Sequence, residues 1–330
     1  MKLLGILILV LLIAFPTFAT IRIVDNSAAN PTAYQTVQAA HDAASIGDTI
    51  YVVGSTTSYG YFNSNKRLVW MGPGYFLDQN TGSQARLPSA TISNGQFAAG
   101  SSGSIFCGIS VANYIMISVN DIVIRRCNFF GADGYNVYAT ASNILIEQCY
   151  ISNPNTYMSN VISLQSSHDV TIRNCYIYAA AYNAQALHSL SEAGPIDVRN
   201  CIIYGNISLT NVTFTDNILR NATNVVFTGT AYYNLCDGSQ FGTTNGNQAN
   251  VNMSTVFVGT GSSDAQWQLA TGSPAISAGR FGGNCGMYGG DAPYILSGIP
   301  PIPTITLFDA PATGSTLNGL QTRIQARSRN

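Results

Sequence analysis

The sequence contains little charge: Asp, Glu, Lys and Arg make up only 9% of its 330 residues, against about 25% in an average soluble domain. The 14 basic and 15 acidic residues nearly cancel, so the composition does not support nucleic-acid binding through a basic surface. The spacings of a zinc site, a glycine-rich phosphate loop and a nucleophile elbow are missing as well. These absences argue against a metal site, a nucleotide site and a serine-hydrolase site.

The first 19 residues have the pattern of a secretory signal peptide. Lys2 precedes an apolar run, Leu3–Phe15, which is too short to span a bilayer of about 30 Å as a helix. Pro16 and the small residue Ala19 then mark a cleavage site. We expect residues 1–19 to be removed. The mature protein has no other apolar run of membrane-spanning length, so we expect it to be secreted or held at the cell surface.

A ten-residue unit repeats through the middle of the chain. Each copy has two apolar residues separated by one residue, and a cysteine three residues after the second of them. The cysteines of four copies are Cys127, Cys149, Cys175 and Cys201, at intervals of 22, 26 and 26 residues. Two weaker copies have Asn217 and Asn234 at the cysteine position. Alternation with a period of two is typical of a strand with one buried face.

Two further strands are expected in each repeat. One follows each cysteine, and another lies near Val137, Ile162 and Leu187, which are 25 residues apart. Three short strands per coil of about 22 residues, without helical spacing between them, are typical of a parallel β-helix. We therefore expect an all-β protein, a right-handed parallel β-helix over residues 20–298, in which residues about one coil apart are stacked neighbours. The corner positions hold short polar residues that suit left-handed turns, namely Asp121, Asn143, Asp169, Asn174, Asn200, Asn211 and Asp216.

The cysteines are better explained as core residues than as a disulfide framework. There are seven of them, an odd number, and their spacing follows the repeat. Stacked cysteines at the strand spacing of about 4.8 Å are close enough to form disulfides, but a free cysteine also packs as a small apolar residue. We expect reduced thiols, with oxidation in an exported protein as the alternative.

The open ends of a solenoid need a cover. Within residues 36–45, Val37, Ala40 and Ala44 have the spacing of one face of a short amphipathic helix. This pattern predicts a capping helix at the N-terminal end.

The chain changes character after residue 298. Residues 299–303 are rich in proline and predict a stiff linker. Residues 304–330 hold two expected strands, Ile305–Phe308 and Leu320–Ala326, and are too few for a domain with its own core. A C-terminal cap, a surface-attachment segment and the stub of a longer architecture all fit this tail.

Two segments resemble known secreted proteins. Val37–Val52 is similar to the start of the β-helix in the pectate-lyase-like superfamily, and Gly272–Gly279 resembles the close of many bacterial secreted β-helix proteins. With the repeats, the resemblance covers roughly residues 21–298 and implies the β-helix fold. For activity, it implies either a calcium-dependent lyase with clustered carboxylates and a Lys or Arg base, or a hydrolase with neighbouring Asp residues.

Charged residues at outward positions form the first candidate ligand-binding surface. One column reads Arg125, Glu147, Arg173 and Arg199, and Asp197 lies in the neighbouring column. Like charges about 5 Å apart in water cost about 0.8 kcal/mol, and Asp197 is placed to neutralise Arg173 and Arg199. The column is either a solvated ladder of weak ion pairs or an anion-binding strip for an acidic sugar, because Arg grips carboxylates through two hydrogen bonds.

Tyrosines form the second candidate surface. Tyr150 and Tyr176 directly follow equivalent cysteines, and Tyr178 and Tyr204 are equivalent two positions further on. If exposed, these rings form a platform for sugar rings. Stacked tyrosines also stabilise parallel strands, and both interpretations remain open.

Neither catalytic scheme finds its residues assembled in the sequence. The acids of the repeats are spread at about one per coil, paired-Asp motifs are missing, and Lys66, the only lysine after the signal, lies before the repeats. Calcium is expected only if the protein is a lyase. His168 stands where other copies have Asn120 and Ser142, so a turn hydrogen bond explains this histidine.

We therefore expect an exported, non-catalytic β-helix that binds a polysaccharide or forms part of the cell envelope, with no metal and no cofactor. A polysaccharide lyase or glycoside hydrolase acting on an acidic polysaccharide is one alternative. A surface adhesin, delivered through residues 304–330, is another.

Overall fold

The computed structural model describes residues 19–131, 134–155, 160–315 and 319–328. Residues 1–18, which hold nearly all of the expected signal peptide, lie outside these ranges. The described chain folds into an all-β parallel β-helix, as the repeat predicts. No helix within it has the length and apolar character needed to cross a membrane.

Three faces of parallel strands surround the core, and each full coil contributes one strand to each face. The strands of the first face are Ile21–Val24, Thr49–Val52, Val69–Met71, Ile105–Cys107, Ile122–Arg125, Ile144–Glu147, Val170–Arg173 and Ile196–Arg199. Those of the second face are Thr91–Ile92, Ser110–Val111, Asn128–Phe130, Tyr150–Asn153, Tyr176–Ala179, Ile202–Tyr204, Ile218–Arg220 and Leu235–Cys236. Those of the third face are Phe62–Ser64, Gly95–Phe97, Ile115–Ile117, Val137–Ala139, Asn160–Ser163 and Gln185–His188. Two long strands, Asn206–Thr215 and Val225–Tyr232, run across the third and first faces and connect them through hydrogen bonds. The strands of the three faces are called the first, second and third sheet below.

Residues one coil apart stack in register, which confirms the alignment of the repeats. The inward column of the first sheet is Ile124, Ile146, Ile172, Val198 and Phe214, all fully buried. On the third sheet, Val137 pairs with Ile162, which pairs with Leu187. Burying an aliphatic or phenyl side chain contributes about 1.5–3 kcal/mol, so the inward columns supply the main stabilisation of the coil.

The cysteine column continues as an asparagine column. All seven cysteines are buried free thiols, and the backbone N–H of Cys149 donates to Sγ of Cys175, with a separation of 3.4 Å. From Cys201 onwards the acceptor is an amide oxygen, because the N–H of Cys201 donates to Oδ1 of Asn217 at 2.9 Å. The N–H of Asn217 donates to Asn234 in the same way, and that of Asn234 to Asn247. The sequence predicts Asn217 and Asn234 in this column, but it misses Asn247, which follows a shorter interval.

The expected capping helix is Val37–Ala43. The hydroxyl of Thr36 caps its first turn, and Val37 and Ala40 are buried against the first coils. At the other end, Nζ of Lys66 donates to the carbonyl oxygens of His41, Asp42 and Ala44 at 2.9–3.0 Å. A cation at this position satisfies the last carbonyls of a helix, so Lys66 has a structural role.

After Gln248, which still pairs in parallel with Leu235, the chain leaves the coil and runs back along the outside of the second sheet. Its short 3-10 helices are Met253–Thr255, Ala265–Trp267, Arg280–Gly282 and Leu296–Gly298. This part of the chain covers outward side chains of the second sheet and forms a second apolar cluster with them. The second sheet is therefore buried on both faces over much of its length. This explains why its strands contain apolar pairs such as Ile202-Ile203 and Ile218-Leu219, where the first sheet alternates.

Corner residues of five coils hold residues 279–299, which we call the return segment. In order from the C-terminal end of the coil, the hydrogen-bonded pairs are Asp216 with Arg280, Asn200 with Asn284, Asn174 with Met287 and Gly289, Gln148 with Ala292 and Pro293, and Arg126 with Ile299. All five corner residues have positive φ, and so do the other corner residues expected from the sequence, Asp121, Asn143, Asp169 and Asn211. The expected left-handed turns are therefore present, and Arg126 and Gln148 add two that the sequence analysis misses. Because the corner numbers fall as those of the segment rise, the return segment runs opposite to the direction in which the coils advance.

The tail forms a small hairpin. Strands Thr304–Asp309 and Arg323–Arg327 pair in antiparallel fashion, and the N–H of Ala85 donates to the carbonyl of Ile305 at 2.7 Å. The hairpin is thus tied to one of the first coils.

Candidate functional site

A groove of about 780 Å³ opens where the first sheet meets the return segment. Its floor is formed by three successive coils, which contribute Arg173, Arg199 and Thr215. Its outer wall is formed by residues 280–292 of the return segment. Two coil spacings give the floor a length of about 10 Å. We call this site the corner groove.

Three of the four residues in the predicted charged column form a closed ion-pair cluster at one end of the groove. The carboxylate of Glu147 is buried and accepts hydrogen bonds from Arg125 on one side and Arg173 on the other. Nη2 of Arg173 lies 2.6 Å from Oε2 of Glu147, and its Nε also donates to that oxygen. Arg125 and Glu147 do not line the groove. For these residues the structure favours the ion-pair ladder over an open anion-binding strip.

Asp197 and Arg199 both face the groove from one strand. Nε of Arg199 lies 3.5 Å from Oδ2 of Asp197, and both side chains are partly exposed. Burial raises the pKa of Asp197, while the charges of Arg199 and Arg173 act in the opposite direction. A long, exposed ion pair contributes little, so the guanidinium of Arg199 is free to exchange Asp197 for a carboxylate of a ligand.

The return segment adds a second set of charges. Oδ1 of Asp216 accepts a hydrogen bond from the backbone N–H of Arg280 at 2.6 Å. Burial raises the pKa of Asp216, and the N–H and charge of Arg280 partly offset that effect. Asp291 completes the acidic lining, so three guanidinium groups and three carboxylates line the groove. In the described chain, no three His, Cys, Asp or Glu side chains come close enough to hold a metal ion.

Phe281 stands at the rim of the corner groove. Its side chain is 93% exposed, its φ is 57°, and the guanidinium carbon of Arg280 lies 4.8 Å from its ring centroid. A bulky residue in the left-handed region costs about 1–3 kcal/mol, and such strain is typical of functional sites. Sequence analysis misses Arg280 and Phe281, although an Arg-Phe pair between glycines was a visible signal.

Of the two interpretations of the tyrosines, the burial of Tyr176 favours stacking between strands over an exposed platform. Tyr150 pairs with Tyr176 in register, and their ring centroids are 4.5 Å apart. The return of the chain covers them, however: Trp267 stacks on Tyr176 at 4.7 Å, and Tyr176 is only 4% exposed.

The second tyrosine pair is also partly covered. Tyr178 and Tyr204 lie in register with ring centroids 4.8 Å apart, and both are half-buried. The guanidinium of Arg220 lies 5.2 Å from the ring centroid of Tyr204. These tyrosines lie on the second sheet, whereas Arg173, Asp197 and Arg199 lie on the first. The candidate residues therefore do not form one surface.

His168 has the turn role that its sequence position indicates. Its Nδ1 lies within hydrogen-bonding distance of the carbonyl oxygen of Gly194 in the next coil. The ring bridges two neighbouring turns of the β-helix.

Comparison of the chain with protein-family models, with curated proteins and with solved structures found no match.

Proposed function

We propose that the protein is an exported carbohydrate-binding protein whose corner groove holds one chain of an acidic polysaccharide. The observation that carries this proposal is the rim of the groove, where the strained and exposed Phe281 stands beside the guanidinium of Arg280, in a groove that Arg173 and Arg199 also line. An aromatic face packs against the apolar face of a sugar ring, and Arg binds a sugar carboxylate through two parallel hydrogen bonds. Arg199 is the principal carboxylate ligand, because Arg173 is already held by Glu147.

We further propose that the chain is a member of the pectate-lyase-like superfamily of secreted bacterial proteins. The parallel coil with three strand faces and the capping helix Val37–Ala43 support this proposal.

The test is binding of hexagalacturonate, with its fully methyl-esterified form as the neutral comparison, measured by titration calorimetry. Arg199→Gln should weaken binding of the acid about tenfold, since a hydrogen bond to a charged group contributes about 1.5–3 kcal/mol. Phe281→Ala should weaken it about two- to tenfold. Arg323→Gln removes one charge from the exposed tail and should bind as the wild type does. If hexagalacturonate does not bind, or if Arg199→Gln binds it as tightly as Arg323→Gln, the proposal fails.

Hydrolysis is a second candidate, because Asp197 and Asp216 both line the groove and burial raises the pKa of both. Asp197 stacks on Thr213, three residues before Asp216, so the Cα atoms of the two acids are at most about 11 Å apart. Side chains turned toward each other from that distance approach the roughly 6.5–9.5 Å carboxyl separation of inverting glycosidases. Release of reducing ends from polygalacturonate, abolished by Asp216→Asn, would establish hydrolysis; ultraviolet absorbance from unsaturated products would indicate a lyase instead.

A further inference from the structure

The outward column of the second sheet changes chemistry along the helix axis. At its C-terminal end it is mainly apolar: Leu235, Ile218, Ile202, Tyr176 and Tyr150 stack in register and belong to the cluster that the returning chain covers. Towards the N-terminus the same column continues as Asn128, Ser110 and Thr91, which are all polar. A hollow of about 420 Å³ opens over this polar end.

A second hollow of about 500 Å³ adjoins the first and shares Phe76, Asp78, Ser89 and Thr91 with it. We call the two hollows together the second-sheet groove. Three coil spacings separate Thr91 from Tyr150, so the floor of the groove is about 14 Å long. This length accommodates a short oligosaccharide.

The polar side chains on the floor are not used by the fold. Ser110 is 1% exposed and Asn128 is 7% exposed. Neither side chain makes a hydrogen bond within the described chain, and the same holds for Thr91 and Ser152. Their polar atoms still reach the space of the hollow, since none of them is among the buried polar atoms without a partner. The corner asparagine Asn174, by contrast, donates both amide hydrogens to backbone carbonyls. A row of polar groups that make no hydrogen bond within the described chain and are open to the hollow is suited to hydrogen-bonding a ligand.

Aromatic rings form the walls of the groove. Phe130 is 43% exposed. Phe76 has a φ of 51° and packs edge-on against Tyr150, with centroids 5.2 Å apart. A left-handed conformation at a bulky residue is again the kind of strain that is stored at binding sites. The groove thus combines flat apolar walls with a hydroxyl- and amide-bearing floor, as carbohydrate sites require.

The charge of the groove decides the class of sugar. Asp78 is the only Asp or Glu in its described lining, and no Arg, Lys or His side chain lines it. A uronate or sulfated sugar would find no cation here and would face the carboxylate of Asp78. A neutral sugar finds donors and acceptors on the floor, and Asp78 can accept hydrogen bonds from its hydroxyl groups.

We propose that the second-sheet groove is a binding site for a neutral oligosaccharide, separate from the corner groove and independent of what the corner groove binds. The two sites differ in chemistry, since guanidinium groups line one and the described lining of the other has no cation.

The experiment is titration of the full-length protein with neutral hexasaccharides, namely cellohexaose, xylohexaose, mannohexaose and maltohexaose, followed by ligand-observed NMR. At least one should bind with a Kd of about 1 mM or tighter. Phe130→Ala and Asn128→Ala should each weaken that binding about tenfold. Phe281→Ala, in the corner groove, is the matched control and should leave it unchanged.

Two outcomes would overturn the proposal: no neutral hexasaccharide binds the wild type, or the hexasaccharide that binds does so equally well to Phe130→Ala. Circular dichroism establishes that each variant is folded, and Phe130→Ala is the more secure of the two because its ring is partly exposed. Loss of neutral binding in Phe281→Ala would place the sugar in the corner groove and would equally refute a second site. Failure of hexagalacturonate to bind, by contrast, would refute only the function proposed for the corner groove.

Discussion

Replacing Asn174 with glycine tests how the return segment is held against the coil. Nδ2 of Asn174 donates to the carbonyl oxygens of Met287 at 3.0 Å and Gly289 at 2.7 Å. The residue is 2% exposed and has a φ of 52°. Glycine adopts this φ without strain, so Asn174→Gly removes the two hydrogen bonds and leaves the turn intact.

The expected loss follows from those two bonds. A hydrogen bond contributes about 1 kcal/mol net, and a buried carbonyl left without a partner costs more, so Asn174→Gly should lower the free energy of unfolding by about 2–3 kcal/mol. Asn174→Ala should lose about 1 kcal/mol more, because alanine is strained in the left-handed region. Asp169→Gly is the matched control: Asp169 has a φ of 55° at an exposed corner, and its replacement should cost less than about 1 kcal/mol.

Urea unfolding followed by circular dichroism gives the free energies. Tryptophan fluorescence gives a local signal. Trp267, in the part of the chain that covers the second sheet, stacks on Tyr176, and its neighbour Asp264 is hydrogen-bonded to Tyr288 and Ser297 of the return segment, so Trp267 should become more exposed when that segment loosens. The reasoning is refuted if Asn174→Gly and Asp169→Gly have the same stability. It is also refuted if Asn174→Gly lowers stability while Asn174→Ala restores it.

Three further predictions concern buried or half-buried side chains. Burial raises the pKa of the Cys107 thiol to about 12, and all seven thiols are buried. None of the seven cysteines should therefore react with an aromatic disulfide reagent at pH 8 in the folded protein, and all seven should react after unfolding; a smaller final count would reveal a disulfide. Asp264 is fully buried and accepts hydrogen bonds from Asn80 Nδ2 and the backbone N–H of Ser297. Asp264→Ala should therefore lower the free energy of unfolding, measured in urea, by about 3 kcal/mol or more. A loss below about 1 kcal/mol would contradict this role. Burial raises the pKa of Asp197, so its ionisation costs stability as the pH rises through that pKa. Asp197→Asn should therefore have a higher Tm than the wild type at pH 7, and the difference should vanish below the unfolded-state pKa of about 3.9; a lower Tm of the variant at pH 7 would contradict the sign.

Most of the coil was predictable because its information is local and repeated. The Ile-x-Ile segments alternate with a period of two, and the cysteines mark equivalent positions, so the register of Arg125 with Glu147 and of Tyr150 with Tyr176 followed from the alignment of the repeats alone. The capping helix was predictable for the same reason, since Val37 and Ala40 lie on one helical face. What this information could not give was exposure: the sequence left open whether Tyr176 lies on a surface, and the structure buries it.

The sequence by itself determined the β-helix, its three strands per coil and the columns of stacked residues, because contacts between neighbouring coils join equivalent positions of a repeat. Only the tertiary structure decided where the grooves are. The return segment has no repeat, and it meets the coil through pairs as distant as Asp216 with Arg280 and Arg126 with Ile299. Side chains and carbonyl groups at corners can bind many irregular segments, so no local pattern specifies which stretch of chain lies along them. The path of the returning chain buries Tyr176 and leaves the polar end of the second sheet, with Ser110 and Asn128, at the floor of a hollow.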